Sequence, residues 1–378
     1  MKILLLCWRD STHPQGGGSE RYLERVGEYL ARRGHEVVYR TAGHTDAPRR
    51  SRRNGVRYSR SGGKFSVYPK AWCGMLLGRL GVGTLGGVDV VVDTQNGIPF
   101  FARLVAGAPT VLLTHHCHRE QWPVAGAVIA RLGWFLESQV APRLYRGAPY
   151  VTVSESSREE LVGLGVRAAD IGIIANGVDP VPAEVPELRR AEGATYLVTL
   201  SRLVPHKQLE HAVDVVAALR ERRLVLDVIG SGWWDEELRE YARRRGVEDR
   251  VVFHGQVTED YKHALLARAA VHLMPSRKEG WGLAVMEAAQ HAVPTVGYRS
   301  AGGLRDSVVD GVTGLLADTP AELTVLTTRL LDTPSLTARL GAAARERAAG
   351  FSWDLTGARF EELLVGLAGG VPPAPAGE

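Results

Sequence analysis

Two glutamates eight positions apart, Glu279 and Glu287, bracket the stretch of this sequence best equipped for chemistry. Between them, Gly280 and Gly282 let the backbone pass close to a ligand, and a helix expected from about Leu283 presents unpaired amides at its start. Glu287 falls one turn into that helix, where a carboxylate can accept both hydroxyls of a ribose. Glu279, on the preceding loop, can reach a sugar ring. Two glutamates on a plain surface would need no such division of labour.

A second group is Ser201–Lys207, directly after an apolar run ending at Leu200. Arg202 and Lys207 there suit a pyrophosphate, because open α/β sheets place ligands at the carboxyl ends of their strands. The residues alone equally allow a surface charge and a helix cap. Gly16, Gly17, Gly18, Ser19 and Glu20 follow the first apolar run and open a helix, which fits an anion cradle or a simple tight turn. The run lacks the glycine offsets of a dinucleotide fingerprint. His115, His116 and His118 cluster in THHCHREQW past another strand, and three histidines at a strand's carboxyl end argue for a site.

These groups need strands and helices to hold them. Short β-branched runs alternate with amphipathic stretches throughout, the pattern of an α/β protein with parallel sheets and helical crossovers. Strands are expected at 2–7, 36–40, 88–92, 110–114 and 151–153, then at 195–200, 223–229, 251–253, 271–274 and 295–297. Helices are expected at 19–33, 208–221 and 234–245, from about 260 and 283, and from 353 to about 367. Pro180, Pro182 and Pro186 interrupt the chain between the two series and mark a linker. The tail from Pro372 to Glu378 is expected to be disordered. Arg49–Arg53 reads as a solvated basic loop, and Trp233 and Trp234 as packing residues or an exposed lid.

With 378 residues the chain exceeds a single core. A hydrophobic share of 45% with 23% charged residues excludes a mostly disordered or fibrous chain. Cys7, Cys73 and Cys117 show no metal spacing and cannot all pair, so free thiols in a reducing, cytoplasmic setting are expected. The run MKILLLC is cut short by Trp8, Arg9 and Asp10 and reads as a buried strand rather than a signal peptide. No stretch has the length of a membrane-spanning helix. A net charge of +4 is compatible with an anionic substrate, a membrane surface or plain solubility.

The segment from Glu279 to Glu287 resembles the E-x7-E motif of the family-four retaining glycosyltransferases. Gly17, Gly18 and Glu20 resemble that family's N-terminal Gly-Gly-x-Glu, and Gly34-His35 its Gly-His. Val153–Ser156 resembles its V-S-x-S segment, Asn176–Asp179 its N-G-V-D, and Ser201–Lys207 its Gly-Arg-Leu-x-x-x-Lys, with serine where glycine is usual. Ala301–Gly303 and Asp310–Leu315 resemble its closing turns. The likeness runs from Met1 to about Leu316.

The resemblance implies a GT-B architecture, an α/β fold of two Rossmann-like domains facing each other across a cleft. Their expected bounds are 1–176 for the acceptor-side domain, 177–194 for a linker and 195–350 for the nucleotide-sugar domain, followed by a C-terminal helix within 351–371, open to packing on its own domain or crossing back to the first, and the tail 372–378. It implies retaining transfer of a hexose-type sugar from a UDP- or GDP-sugar to an acceptor hydroxyl, with no metal and no cofactor beyond that co-substrate. Arg202 and Lys207 would hold the diphosphate and Glu287 the ribose. Glu279, Gly280, Trp281, Gly282 and Leu283 would contact the hexose, with Gly17 and Gly18 helping from the first domain. His116, Glu279, Arg202 and Lys207 are the expected catalytic residues, His116 by its spacing from the strand end. His118, Arg119, Glu120 and Trp122 are acceptor-side candidates; Trp122 would either stack on a sugar or pin its loop.

Nothing here names the sugar or the acceptor, and neither nucleic acid nor more than peripheral membrane contact is expected. A metal would want clustered aspartates, and the sequence holds no Asp-x-Asp. A sugar-nucleotide 2-epimerase shares the fold but needs acid and base groups not found here. A glycogen-synthase-like polymerase is expected to be longer. A non-catalytic anion or nucleic-acid binder would rest only on Arg49–Arg53, Arg243–Arg245 and the basic isoelectric point.

Overall fold

A computed structural model describes residues 1–13, 16–119, 122 and 126–369. Its chain divides into two compact units, Met1–Gly177 joined by the stretch from Ser352, and Val178–Phe351. The expected disordered tail lies outside the described residues.

The first unit runs β1 (Lys2–Leu6), α1 (Gly18–Arg32), β2 (Glu36–Thr41), β3 (Arg50–Arg53), β4 (Val56–Arg60), α2 (Val67–Arg79) and β5 (Val90–Gln95). It continues with β6 (Thr110–Thr114), α3 (Ala127–Phe135), a π-helical turn Leu136–Val140, α4 (Ala141–Leu144), β7 (Tyr150–Thr152), α5 (Glu155–Gly163) and β8 (Ile171–Ile173). Eight strands form one sheet in the order β3-β4-β2-β1-β5-β6-β7-β8. All pairs are parallel except β3 with β4, so β1, β5 and β6 open their carboxyl ends onto one edge.

Residues 49–53, expected as a solvated loop, instead supply β3, whose Arg53 pairs with Glu24 at 2.7 Å. The cause is Asn54-Gly55, both in left-handed backbone at φ +48° and +84°, the two-residue turn that suits antiparallel strands. Residues 61–87, to which the sequence assigns no element, hold α2, whose Val67, Ala71 and Met75 enter the core with Leu4, Leu6, Val38 and Val91.

The second unit holds β9 (Thr195–Leu200), α6 (Glu210–Ala218), β10 (Leu224–Ile229), α7 (Asp235–Arg245), β11 (Val251–Gly255), α8 (Glu259–Arg268) and β12 (Val271–Met274). Then follow α9 (Leu283–Ala289), β13 (Thr295–Tyr298), α10 (Leu304–Ser307), β14 (Gly314–Ala317), α11 (Pro320–Asp332) and α12 (Pro334–Ala349). Six strands lie parallel in the order β11-β10-β9-β12-β13-β14. Helix α7 is set by charge: Asp235, Glu236 and Glu237 fill its first turn, Arg243–Arg245 its last, and Gly246 closes it at φ +65°. Trp234 caps that helix and donates to Glu210 at 2.6 Å, while Trp233 is exposed.

The last helix, α13 (Trp353–Ala368), belongs to the first unit. Ser352 caps it by accepting from Leu355 N, and Phe360 and Leu364 are fully buried, worth about 1.5–3 kcal/mol each. It lies so close to α1 that a Cβ on Gly357 would stand 2.2 Å from Tyr29. His35 and Arg33 pair with Glu361 across the same contact. Cys7, Cys73 and Cys117 are all free.

Candidate functional site

Strands β9 and β12 are neighbours, with Leu197 opposite Val271, so the loops that leave their carboxyl ends run side by side. This juxtaposition brings Lys207 Nζ to 2.5 Å from Glu279 Oε1, with side chains 13% and 9% exposed. The two loops are also stitched by Arg277 N donating to His206 O at 2.9 Å. Arg202 stands exposed on the first loop. His206, beside Lys207, is pushed down to about 4 by burial and then by the Lys207 charge, so it is neutral at pH 7.

The first loop is shaped from below by the turn after β10. Leu203 N donates to Ser231 O at 3.0 Å, and Gly230, at φ +123°, leaves no room for a side chain because a Cβ would fall 1.9 Å from Ser201 O. The second loop is held from the side: Glu279 N donates to Ala301 O at 2.8 Å and Gly303 N to Glu279 O at 3.0 Å. Gly280 follows, and Gly282, in left-handed backbone, is the N-cap of α9, which starts at Leu283. The Trp281 side chain is buried against Phe351, ring centres 5.1 Å apart, so only its backbone is left to meet a ligand. Glu287 does not join Glu279. Its Oε1 accepts from Lys262 Nζ at 2.6 Å.

In the first unit, Gly17 is the N-cap of α1 and Gly18 its first residue. Gly17 N donates to Glu20 Oε2 at 2.8 Å, and Glu20 Oε1 accepts from Arg9 at 3.0 Å and Asn96 at 3.3 Å. Burial works to raise the Glu20 carboxyl, but Arg9 and the amide donors outweigh it and hold it below its usual value. Glu20 is therefore a structural anchor for the glycine turn.

The three histidines part company. His115 is buried against the Tyr22 ring, centres 5.0 Å apart, and burial pushes it down to about 4. His116 and His118 stack on each other at 4.5 Å. His118 is tied to Glu137, whose Oε1 accepts from His118 N at 2.9 Å. Glu137 Oε2 accepts from Trp122 Nε1 at 2.6 Å, and the indole packs against Gly97 and Gly133. These contacts hold the Trp122 indole in place within the first unit. Arg119 sits over the Trp134 ring at 5.7 Å, and Glu120 lies outside the described residues.

Glu137, Lys262 and Gly230 are the site residues that sequence reasoning missed. Glu137 lies fully buried in the π-helical turn, a distortion often found at functional sites, but only the fold reveals it. Lys262 reads as a surface lysine of α8. The signal for Gly230 was available, in the Gly-Ser-Gly that follows β10. Among the described residues, no group of three or more His, Cys, Asp or Glu side chains is arranged to hold a metal ion.

Residues 16–181 match the profile of the family described as Glycosyltransferase Family 4, and residues 181–347 that of Glycosyl transferases group 1. A GDP-mannose-dependent alpha-(1-6)-phosphatidylinositol monomannoside mannosyltransferase from Mycobacterium tuberculosis is 34% identical over 297 residues, 70% of this chain and 71% of its own. Among solved structures, sucrose-phosphate synthase from Thermosynechococcus elongatus covers 98% of this chain and 99% of its own, at a TM-score of 0.79 and 20% identity. Anabaena HepE in complex with UDP and glucose covers 97% and 100%, at 0.75 and 20%. The structural likenesses show the fold, which is GT-B. Two profiles that together span both units, and a relative matched over most of its length, establish that this chain belongs to the family 4, group 1 glycosyltransferases.

Proposed function

We propose that the protein transfers a hexosyl group, with retention and without a metal, from a UDP- or GDP-sugar to an acceptor hydroxyl. The observation that carries this reading is the Lys207–Glu279 pair, which joins a cation on the loop that also bears Arg202 to a carboxylate on the loop after the adjacent strand. The relatives support these two bases: the mycobacterial one is called GDP-mannose-dependent, and HepE is solved with UDP and glucose.

In this reading the demanding event is departure of the nucleoside diphosphate from an oxocarbenium-like anomeric carbon. Arg202 and Lys207 stabilise the negative charge that develops on the leaving group. Glu287 takes the ribose hydroxyls, and Glu279 with the backbone of Gly280–Leu283 orients the hexose. The acceptor oxygen bonds to the anomeric carbon on the face that the phosphate leaves, and the acceptor proton passes to the departing phosphate oxygen. His116, Gly17 and Gly18 are the first unit's proposed contributions, and His118 and Arg119 its proposed acceptor contacts.

A thermal-shift panel of UDP, GDP and ADP tests the reading, since a ligand that prefers the folded state raises Tm with concentration. One of UDP or GDP is expected to raise Tm, and the matching sugar nucleotides then serve as donors in a transfer assay. No shift with any of the three would sink the proposal.

A further inference from the structure

A cavity of about 480 Å³ opens within the second unit between the strap Pro186–Arg190 and helix α8, which contributes Ala264, Ala267 and Arg268 to its wall. That volume falls in the range of small-ligand sites. The strap is tied down on both sides of the cavity. Leu188 packs on the core of Val198, Leu265 and Leu266, Ala191 N donates to Tyr196 Oη at 3.0 Å, and Glu192 O accepts from Arg223 Nη1 at 3.0 Å. Two alanines on the facing helix leave the space between them open.

Three guanidinium groups line this cavity. Arg268 is fixed from behind by the fully buried Asp227, to which its Nε donates at 2.9 Å and its Nη2 at 2.6 Å, and it lies over the Tyr196 ring at 4.2 Å from the centre. Its Nη1 makes no hydrogen bond among the described residues, so a rigidly held donor is left over. Arg189 and Arg190 are exposed, and among the described residues neither is in an ion pair or a hydrogen bond. Glu187 is the one carboxylate in the wall. With Asp227 matched to Arg268 and Glu187 set against the other two arginines, one positive charge stays uncompensated. A phosphate suits the arginine forks, and a hydroxyl on the same molecule suits the acceptor-only Glu187.

The cavity lies at the amino edge of the sheet. Arg268 ends α8 just ahead of β12, and Tyr196 stands at the start of β9, whereas Arg202, Lys207 and Glu279 follow the carboxyl ends of the same two strands. The six residues of β9 set the two places about 17–20 Å apart. We propose that this cavity binds a phosphorylated polyol, with the phosphate against Arg189, Arg190 and Arg268 Nη1 and a hydroxyl on Glu187, at a site separate from that of the nucleotide sugar.

The test is isothermal titration calorimetry of the full chain with glucose 6-phosphate and, separately, inorganic phosphate, in the absence of nucleotide, so that the outcome is independent of sugar transfer. Glucose 6-phosphate is expected to bind with a Kd below about 1 mM and phosphate about tenfold more weakly, for want of the hydroxyl contact. Arg189→Gln with Arg190→Gln is expected to weaken both probes at least about tenfold, and Glu187→Gln to weaken glucose 6-phosphate alone. Arg202→Gln with Lys207→Met is expected to leave both affinities unchanged. Circular dichroism reports that the variants remain folded, as substitutions at exposed strap and loop positions should. Absence of binding to the unaltered protein overturns the proposal. So does binding that survives Arg189→Gln with Arg190→Gln, or that is lost in Arg202→Gln with Lys207→Met, since either result would put the anion elsewhere. Equal affinity for the two probes overturns the polyol assignment.

Discussion

Lys262 Nζ stands 2.6 Å from Glu287 Oε1 and 2.6 Å from Glu259 Oε2, almost wholly out of water. Burial alone would weaken the ammonium, but Glu287 and then Glu259 outweigh it and raise its pKa above the usual lysine value. One cation therefore fixes the rotamer of the carboxylate assigned to the ribose. Lys262→Met is expected to raise the donor KM about tenfold while kcat changes much less, as for a group that binds ground and transition states alike. Steady-state kinetics with the donor identified by thermal shift reads this directly; an unchanged KM would detach Glu287 from donor binding.

The Lys207–Glu279 pair makes a different prediction, because its members are assigned to the departing diphosphate and the transferred sugar. Lys207→Met and Glu279→Gln are each expected to lower kcat/KM by about 10²–10³-fold. The pair sits on loops, so circular dichroism should be unchanged. Normal turnover in either variant would discredit the site.

Glu137 carries a structural rather than a chemical prediction. It is fully buried and accepts from His118 N, Trp122 Nε1 and, at 3.5 Å, Gln95 Nε2. Glu137→Ala leaves those donors unanswered and is expected to cost about 2–4 kcal/mol, read from urea unfolding. Indole emission should shift as Trp122 loses its partner. An unchanged urea midpoint would remove Glu137 as the anchor of this loop.

Acid should destabilise the protein well before most carboxylates protonate. Burial pushes His115 down to about 4 and His272 to about 3, and His206 and His291 to about 4, so the unfolded chain, with histidines near 6.5, takes up protons first. Stability contributed by the neutral rings is complete above about pH 6.5 and is lost as pH falls toward 4. Asp93 acts in the opposite sense. Burial raises it to about 6, so its protonation favours the folded state as pH drops below that value. Four histidines outnumber one aspartate, and the urea midpoint is expected to fall between pH 7 and 5. A midpoint that rises over that interval would overturn this assignment.

Legibility in the sequence followed the range of the forces involved. Strand β12 and the start of α9 were read correctly because an apolar run, a glycine turn and a following helix are all local signals. Helix α2 is hard to see because its pattern lacks a polar face, and β3 because a run of arginines and serine carries no apolar alternation. Within the site, the segment from Glu279 to Glu287 announced itself by residue type, but its two glutamates turn to different lysines, Lys207 and Lys262. Those pairings span 72 and 25 residues, and no local rule specifies them. The histidine triplet was legible as a cluster; which ring is buried and which is tethered to Glu137 depends on a helical turn that residue types do not betray.

Helix α13 has a consequence for how the protein is made. The first unit is completed only by α13, which follows the second unit in the chain, while the second unit is contiguous from Val178 to Phe351. On a ribosome the second unit has all its residues first, and the first unit waits with the α1 surface around Tyr22 and Tyr29 uncovered until Trp353 and Phe360 emerge. Synthesis that stops before residue 352 therefore yields one finished unit and one open core, a species that quality-control proteases can distinguish from the full-length enzyme by the apolar groove it leaves exposed.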